Sequence, residues 1–202
     1  MGEGEAAQAR EWAVGDADAA LARGLRGRAA EACAALYGRF ARGLHRYAAA
    51  QLLGDTGLAE EVVVETLAEA VRDIQRFDPR RGSLAAWVFG IARRRVGLER
   101  RRQRRRKSVP PWAQVAMEAV GERSDGADVA AGAAERLEAQ RQVARLRGAL
   151  SEVEMEALVL SCVEELSARE IGRVMGRSVR GVHSILHRAR RKARERLAED
   201  DG

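Results

Sequence analysis

Ten basic residues and a single acid, Glu99, lie between Arg93 and Lys107. Forked guanidinium groups at that density suit the gripping of phosphates. A second basic set follows Gly176 and comprises Arg177, Ser178, Arg180, His183, Ser184, His187, Arg188 and Arg191. Short polar side chains and arginines at helical spacing are the types that read base edges and hold the sugar-phosphate backbone. A third pattern is acidic, with Glu60, Glu61, Glu65 and Glu69 set between apolar residues. Such a row can pair with a basic partner helix or simply face water. No Gly-rich phosphate loop or Asp/His set completes an enzyme site, and a nuclease built on Glu61 and Glu65 would rest on acid count alone. Cys33 and Cys162 are far apart, with no Cys or His at ligand spacing, so no metal, cofactor or disulfide is expected.

The elements that must carry these groups are helical. Of 202 residues 46% are apolar and only 4% aromatic, with Ala, Leu and Val dominant, which favours an all-α fold over sheet. A net charge of +6 points to a polyanionic partner. Only Lys107 and Lys192 are lysine among 36 basic residues, a bias that fits bidentate phosphate contacts or the codon habit of a GC-rich genome. No apolar run approaches the length of a membrane span and no signal segment is evident, so a cytoplasmic protein is expected. Residues 1–27 read as a frayed, acidic tail. Residues 28–107 form a first domain, with a helix carrying Leu36, Phe40, Leu44 and Tyr47 and a second carrying Leu58, Val62, Val63, Leu67, Val71 and Ile74. Pro79 and Gly82 make 77–83 a loop, and Ser83 can cap the helix that follows. On that helix Trp87, Val88, Ile91 and Leu98 share one side while Phe89, Arg93, Arg100 and Arg104 gather opposite. Its basic end is too repulsive to stay helical unless something anionic meets it. Residues 108–134, with Pro110-Pro111 and four acids against one Arg, read as a flexible linker, and 135–198 as a second helical domain.

In the second domain Ser167 is placed to cap a helix over Ala168–Met175 that turns at Gly176, and Ser178 to cap another from Val179 to about Leu197. Ile171, Met175, Val182 and Ile185 are apolar where two steeply crossing helices must meet, and Gly172 permits close approach. At about 100° per residue from Val182, Arg180, Ser184, His187 and Arg191 lie between about 140° and 200°, an outward basic stripe that fits a major groove. The same stripe could be the solvated face of a helical bundle.

These residues resemble the extracytoplasmic-function sigma factors of bacterial RNA polymerase, in which two helical domains, region 2 and region 4, are joined by a linker. In region 2 the resemblance rests on Leu36-Tyr37, Ala59-Glu60-Glu61-Val62, Phe77-Asp78-Pro79-Arg80-Arg81-Gly82-Ser83-Leu84 and Ala86-Trp87-Val88-Phe89-Gly90-Ile91-Ala92-Arg93. In region 4 it rests on Leu166-Ser167-Ala168-Arg169-Glu170-Ile171, Met175-Gly176-Arg177-Ser178-Val179 and Leu186-His187-Arg188-Ala189-Arg190-Arg191. The resemblance implies core RNA polymerase and promoter DNA as partners, an anti-sigma factor as inhibitor, and no membrane contact or catalysis. By it Glu60, Glu61 and Glu65 dock on the clamp helices of the polymerase. Arg80, Arg81, Ser83, Phe89, Arg93, Arg94 and Arg100 meet the −10 element, with Phe89 as a stacking platform for a flipped base and Trp87 in the core. Arg177, Ser178, Arg180, His183, Ser184, His187, Arg188 and Arg191 meet the −35 element. The family's common Gly-Thr-Val-Lys-Ser-Arg is here Arg180-Gly181-Val182-His183-Ser184-Ile185, which implies a −35 sequence that is unusual or weakly read. The reading from another class is a helix-turn-helix regulator that binds duplex DNA without polymerase.

Overall fold

The computed structural model describes residues 16–107, 146, 148–163 and 165–198, and the expected linker 108–134 lies outside them. Among the described residues the structure is helical and holds no strand. The N-terminal lobe contains α1 (16–26), α2 (Ala30–Gln51), α3 (Thr56–Arg72), a 3-10 turn (Ile74–Arg76) and α4 (Leu84–Lys107). The C-terminal lobe contains α5 (Glu152–Val163), α6 (Ala168–Met175) and α7 (Val179–Ala198).

α2 buries Leu36, Phe40, Leu44 and Tyr47, the stripe that three- and four-residue spacing predicts. It ends where Leu53 and Gly54 take positive φ, and the Asp55 side chain then accepts from the Leu58 N–H at 3.0 Å to start α3. α3 turns Val62, Val63 and Leu67 inward.

Residues 16–26 correct the expected tail. Asp18, Ala22 and Leu25, at helical spacing, are each at most 1% exposed. The Asp18 carboxylate accepts from the Arg39 guanidinium at 2.7 Å and from the Leu84 N–H at 2.6 Å. Arg26 donates to the Phe77 carbonyl at 2.7 Å. α1 therefore ties down both ends of the 77–83 loop. An acid-rich start reads as solvated because sequence does not show that one of its carboxylates satisfies the first N–H of α4, a donor that no helix can satisfy internally.

α4 remains helical to Lys107 because carboxylates meet it from two sides, α3 supplying Glu65 and Glu69 and α5 supplying Glu152 and Glu156. The anionic partner its charge density demands is the chain itself. The apolar cores of the lobes merge into one cluster in which Ala157, Leu160, Leu166 and Ile171 join Phe40, Tyr47, Val88 and Phe89.

Candidate nucleic-acid and polymerase interface

The helix-turn-helix forms as its turn chemistry requires. Ser167 accepts from the Glu170 N–H at 3.3 Å while the Glu170 carboxylate accepts from the Ser167 N–H at 2.8 Å, a reciprocal cap on α6. α6 stops at Gly176 in the left-handed region, φ 65°. A Cβ at Gly172 would lie 2.6 Å from the Arg177 carbonyl oxygen, so only glycine permits this crossing. Ser178 accepts from the Gly181 N–H at 3.2 Å and opens α7. Val182, Ile185, Leu186 and Ala189 are buried. Arg177, Ser178, Arg180, His183, Ser184, His187, Arg188 and Arg191 are all exposed, the first two in the turn before α7 and the other six on the helix, four of them (Arg180, Ser184, His187 and Arg191) along its outward stripe. Two of them are loosely held, Arg188 at 3.6 Å from Glu154 and Arg191 at 3.8 Å from Glu195. Ser184 donates to the Arg180 carbonyl, one turn back.

In the N-terminal lobe Glu60 and Glu61 are exposed on α3, with Val64, 66% exposed, on the same side. Arg80 and Arg81 project from the loop, where the Asp78 carboxylate accepts from the Arg80 N–H at 3.0 Å, and Ser83 accepts from the Ala86 N–H to cap α4. This is a helical body with one exposed basic helix, one cationic loop and one acidic helix edge.

Comparison with known proteins decides what such a body is. The model of sigma-70 region 2 matches residues 36–106 and that of sigma-70 region 4 matches residues 140–192, together more than half of the chain and in that order. This chain belongs to the sigma-70 family. It resembles the structure of CnrH in complex with the cytosolic domain of CnrY (26% identity, TM-score 0.65), covering 91% of this chain and 99% of that one. The sigma factor RpoE from Bartonella quintana, in complex with the anti-sigma factor NepR, shares the fold at 23% identity and TM-score 0.58, over 78% of this chain and 91% of that one. No curated protein sequence matches the chain.

Several partners expected for this sigma factor's residues are already replaced from within. Phe89 is a correction, since its ring is fully buried, edge-on to Tyr47 with centroids 5.6 Å apart, and cannot serve as an exposed platform here. Its side of α4 is the side on which α2 and α5 sit, and helical periodicity does not distinguish a polar interface from solvent. Trp87 is half-buried against Phe77. Arg93 donates to Glu156 at 2.8 Å, Arg94 pairs with Glu69, and Arg100 donates to the Gln51 carbonyl at 3.0 Å and faces Glu152 at 3.3 Å. Glu65 pairs with Arg95 at 2.8 Å, so it contributes to α3–α4 packing. Although burial opposes it, hydrogen bonds from Arg95 and Arg94 hold the Glu69 carboxyl below its ordinary range. Sequence reasoning missed Asp18, Arg26, Arg95 and Glu156, all of which act through partners distant in the chain.

Glu154, buried at the start of α5, anchors α7 through Lys192 at 2.8 Å and accepts from the Ser151 N–H and hydroxyl. Burial pushes its pKa up, but the bonds from Lys192 and Ser151 outweigh this and hold it at about 2. A depressed carboxyl stabilises the folded lobe fully above its unfolded pKa of about 4.3 and loses that contribution as pH falls toward the folded value. Glu154→Gln should therefore remove on the order of 2–3 kcal/mol at pH 7 and flatten the pH dependence of urea stability between about pH 5 and pH 2. An unchanged profile would show that this carboxylate is not the group that titrates.

Proposed function

We propose that this extracytoplasmic-function sigma factor docks on core RNA polymerase through Glu60 and Glu61, with Glu65 at the margin, and acts in the cytoplasm as an initiation factor without catalysis of its own. The −10 element then meets Arg80, Arg81, Ser83, Arg93, Arg94 and Arg100. The −35 element meets the exposed stripe of α7. The observation that carries this reading is the pair of region 2 and region 4 matches together with eight exposed candidate residues on α7 and in the turn before it. Domain limits of 28–107 and 135–198 follow it, extended at the front by α1. CnrH and RpoE were each solved with a protein partner, the cytosolic domain of CnrY and the anti-sigma factor NepR. A partner of the same kind is proposed here.

Run-off transcription with purified core enzyme on genomic fragments tests the reading directly, and specific transcripts should require this chain. In the resulting holoenzyme Arg188→Ala or Arg191→Ala should weaken promoter binding and make log K against log salt shallower by about one unit for each phosphate that is no longer gripped. Tight, specific duplex binding by the free chain, indifferent to core enzyme, would instead identify a conventional regulator.

A further inference from the structure

α2 carries Arg39, Arg42, His45 and Arg46 against one acid, Glu31, two turns before the first of them. At about 100° per residue Arg39, Arg42 and Arg46 fall within about 60° of one another, on the side turned away from the buried Phe40 and Leu44. Like charges three and four residues apart repel along a helix, and elsewhere the chain answers that repulsion with its own carboxylates. On α4, Arg93, Arg94, Arg95, Arg100, Arg102 and Arg104 each have one within 3.4 Å. On α2 Arg39 is answered by the Asp18 carboxylate at 2.7 Å, and its guanidinium also lies over the Phe40 ring. Arg42 and Arg46 are exposed and, among the described residues, form no ion pair.

We infer that Arg42 and Arg46 hold backbone phosphates of promoter DNA beside the −10 element, so that the nucleic-acid surface of the N-terminal lobe continues from the loop and α4 onto α2. The inference rests on the function proposed above. Two contacts make the surface continuous. The carboxylate that takes Arg39 also caps α4 at the Leu84 N–H, so the arginine edge begins beside the loop that carries Arg80 and Arg81. Tyr47, next in the chain to Arg46, meets Phe89 edge-on, one turn before Arg93. With Arg100 on the Gln51 carbonyl further along, α2 runs beside α4 and in the same direction. From Arg39 to Arg46 the helix rises about 10 Å, the length of about three stacked nucleotides. The edge also lacks what a protein partner would grip. Exposed Ala35 and Gly38 are its neighbours, while the exposed Tyr37 lies on the opposite flank of the helix. Protein interfaces centre on aromatic and apolar anchors, whereas phosphates spaced along a strand need only arginines in a row.

The test uses holoenzyme assembled from core RNA polymerase and the full chain, with a fluorescent promoter fragment that run-off transcription identifies. Arg42→Gln/Arg46→Gln should weaken promoter binding about tenfold and make log K against log salt shallower by about 1.5, the change expected for two phosphates. Its co-purification with core enzyme and its urea midpoint should stay parental, since both side chains are exposed. Arg42→Lys/Arg46→Lys keeps both charges and should bind within about threefold of the parent. Arg28→Gln/Arg76→Gln removes the same charge from exposed positions on the flank of Tyr37 and Ile74, and should cost less than about threefold with a parental salt slope. Neutral methylphosphonate linkages, scanned singly beside the −10 element, should weaken the parent where the contacts fall and leave the glutamine variant indifferent at those positions. An unchanged salt slope in Arg42→Gln/Arg46→Gln, or an equal loss in the Arg28→Gln/Arg76→Gln control, would overturn the inference. A parent chain that forms no promoter complex with core enzyme would overturn the function proposed above, and the inference with it.

Discussion

Replacing Phe89 with alanine should lower the stability of the N-terminal lobe by about 3–5 kcal/mol, as full truncation of a buried aromatic does. The ring has no solvent-accessible surface and meets Tyr47 edge-on, an aromatic contact that adds to its burial. Val88, Ile91 and Ala92 beside it on α4 are equally enclosed, and a rigid helix does not collapse to fill the space left. Phe89→Leu keeps most of the volume and should lose about 1.5 kcal/mol or less. Urea denaturation followed by near-ultraviolet circular dichroism reads both values. A base-stacking role for Phe89 predicts the opposite, an alanine variant of parental stability whose only defect is in promoter opening.

How much of this was legible follows from what periodicity reports. The helix-turn-helix could be read because its determinants are local, with caps at Ser167 and Ser178, a left-handed stop at Gly176 and a close crossing at Gly172. The stripes of α2 and α3 could be read for the same reason. Periodicity tells which residues share a face, and it is silent on what covers that face. Arg93 and Arg100 show the same spacing whether water, DNA or Glu156 and Glu152 lies against them, and the covering acids stand about fifty to sixty residues further along the chain. Asp18 failed to register because a buried carboxylate that caps a distant helix resembles, in sequence, any acid in a polar tail. The acidic row on α3 was legible as a row, but not as two functions. Glu65 and Glu69 hold Arg95 and Arg94 of α4, whereas Glu60 and Glu61 are exposed.

That division fixes where the docking surface can be tested without unfolding the lobe. Glu60→Arg/Glu61→Arg should weaken association with core RNA polymerase at least a hundredfold, about 2.7 kcal/mol, because like charges set against a basic partner helix repel where the parent attracts. The same variant should keep its urea midpoint to within about 0.5 kcal/mol, since both side chains are exposed and the inward face of α3 is untouched. Glu69→Arg is the informative contrast. It would take the carboxylate from Arg94, leave Arg95 with Glu65 alone and set a third cation between them, so its loss of polymerase binding should come with loss of stability. Val64, exposed on the same side as Glu60 and Glu61, gives the surface an apolar centre, and Val64→Asp should weaken docking with no change in stability. Co-purification with core enzyme, read beside denaturation curves, separates the outcomes. A Glu60→Arg/Glu61→Arg chain that still co-purifies at parental yield would move the docking surface off α3, leaving its exposed carboxylates as a solvated edge.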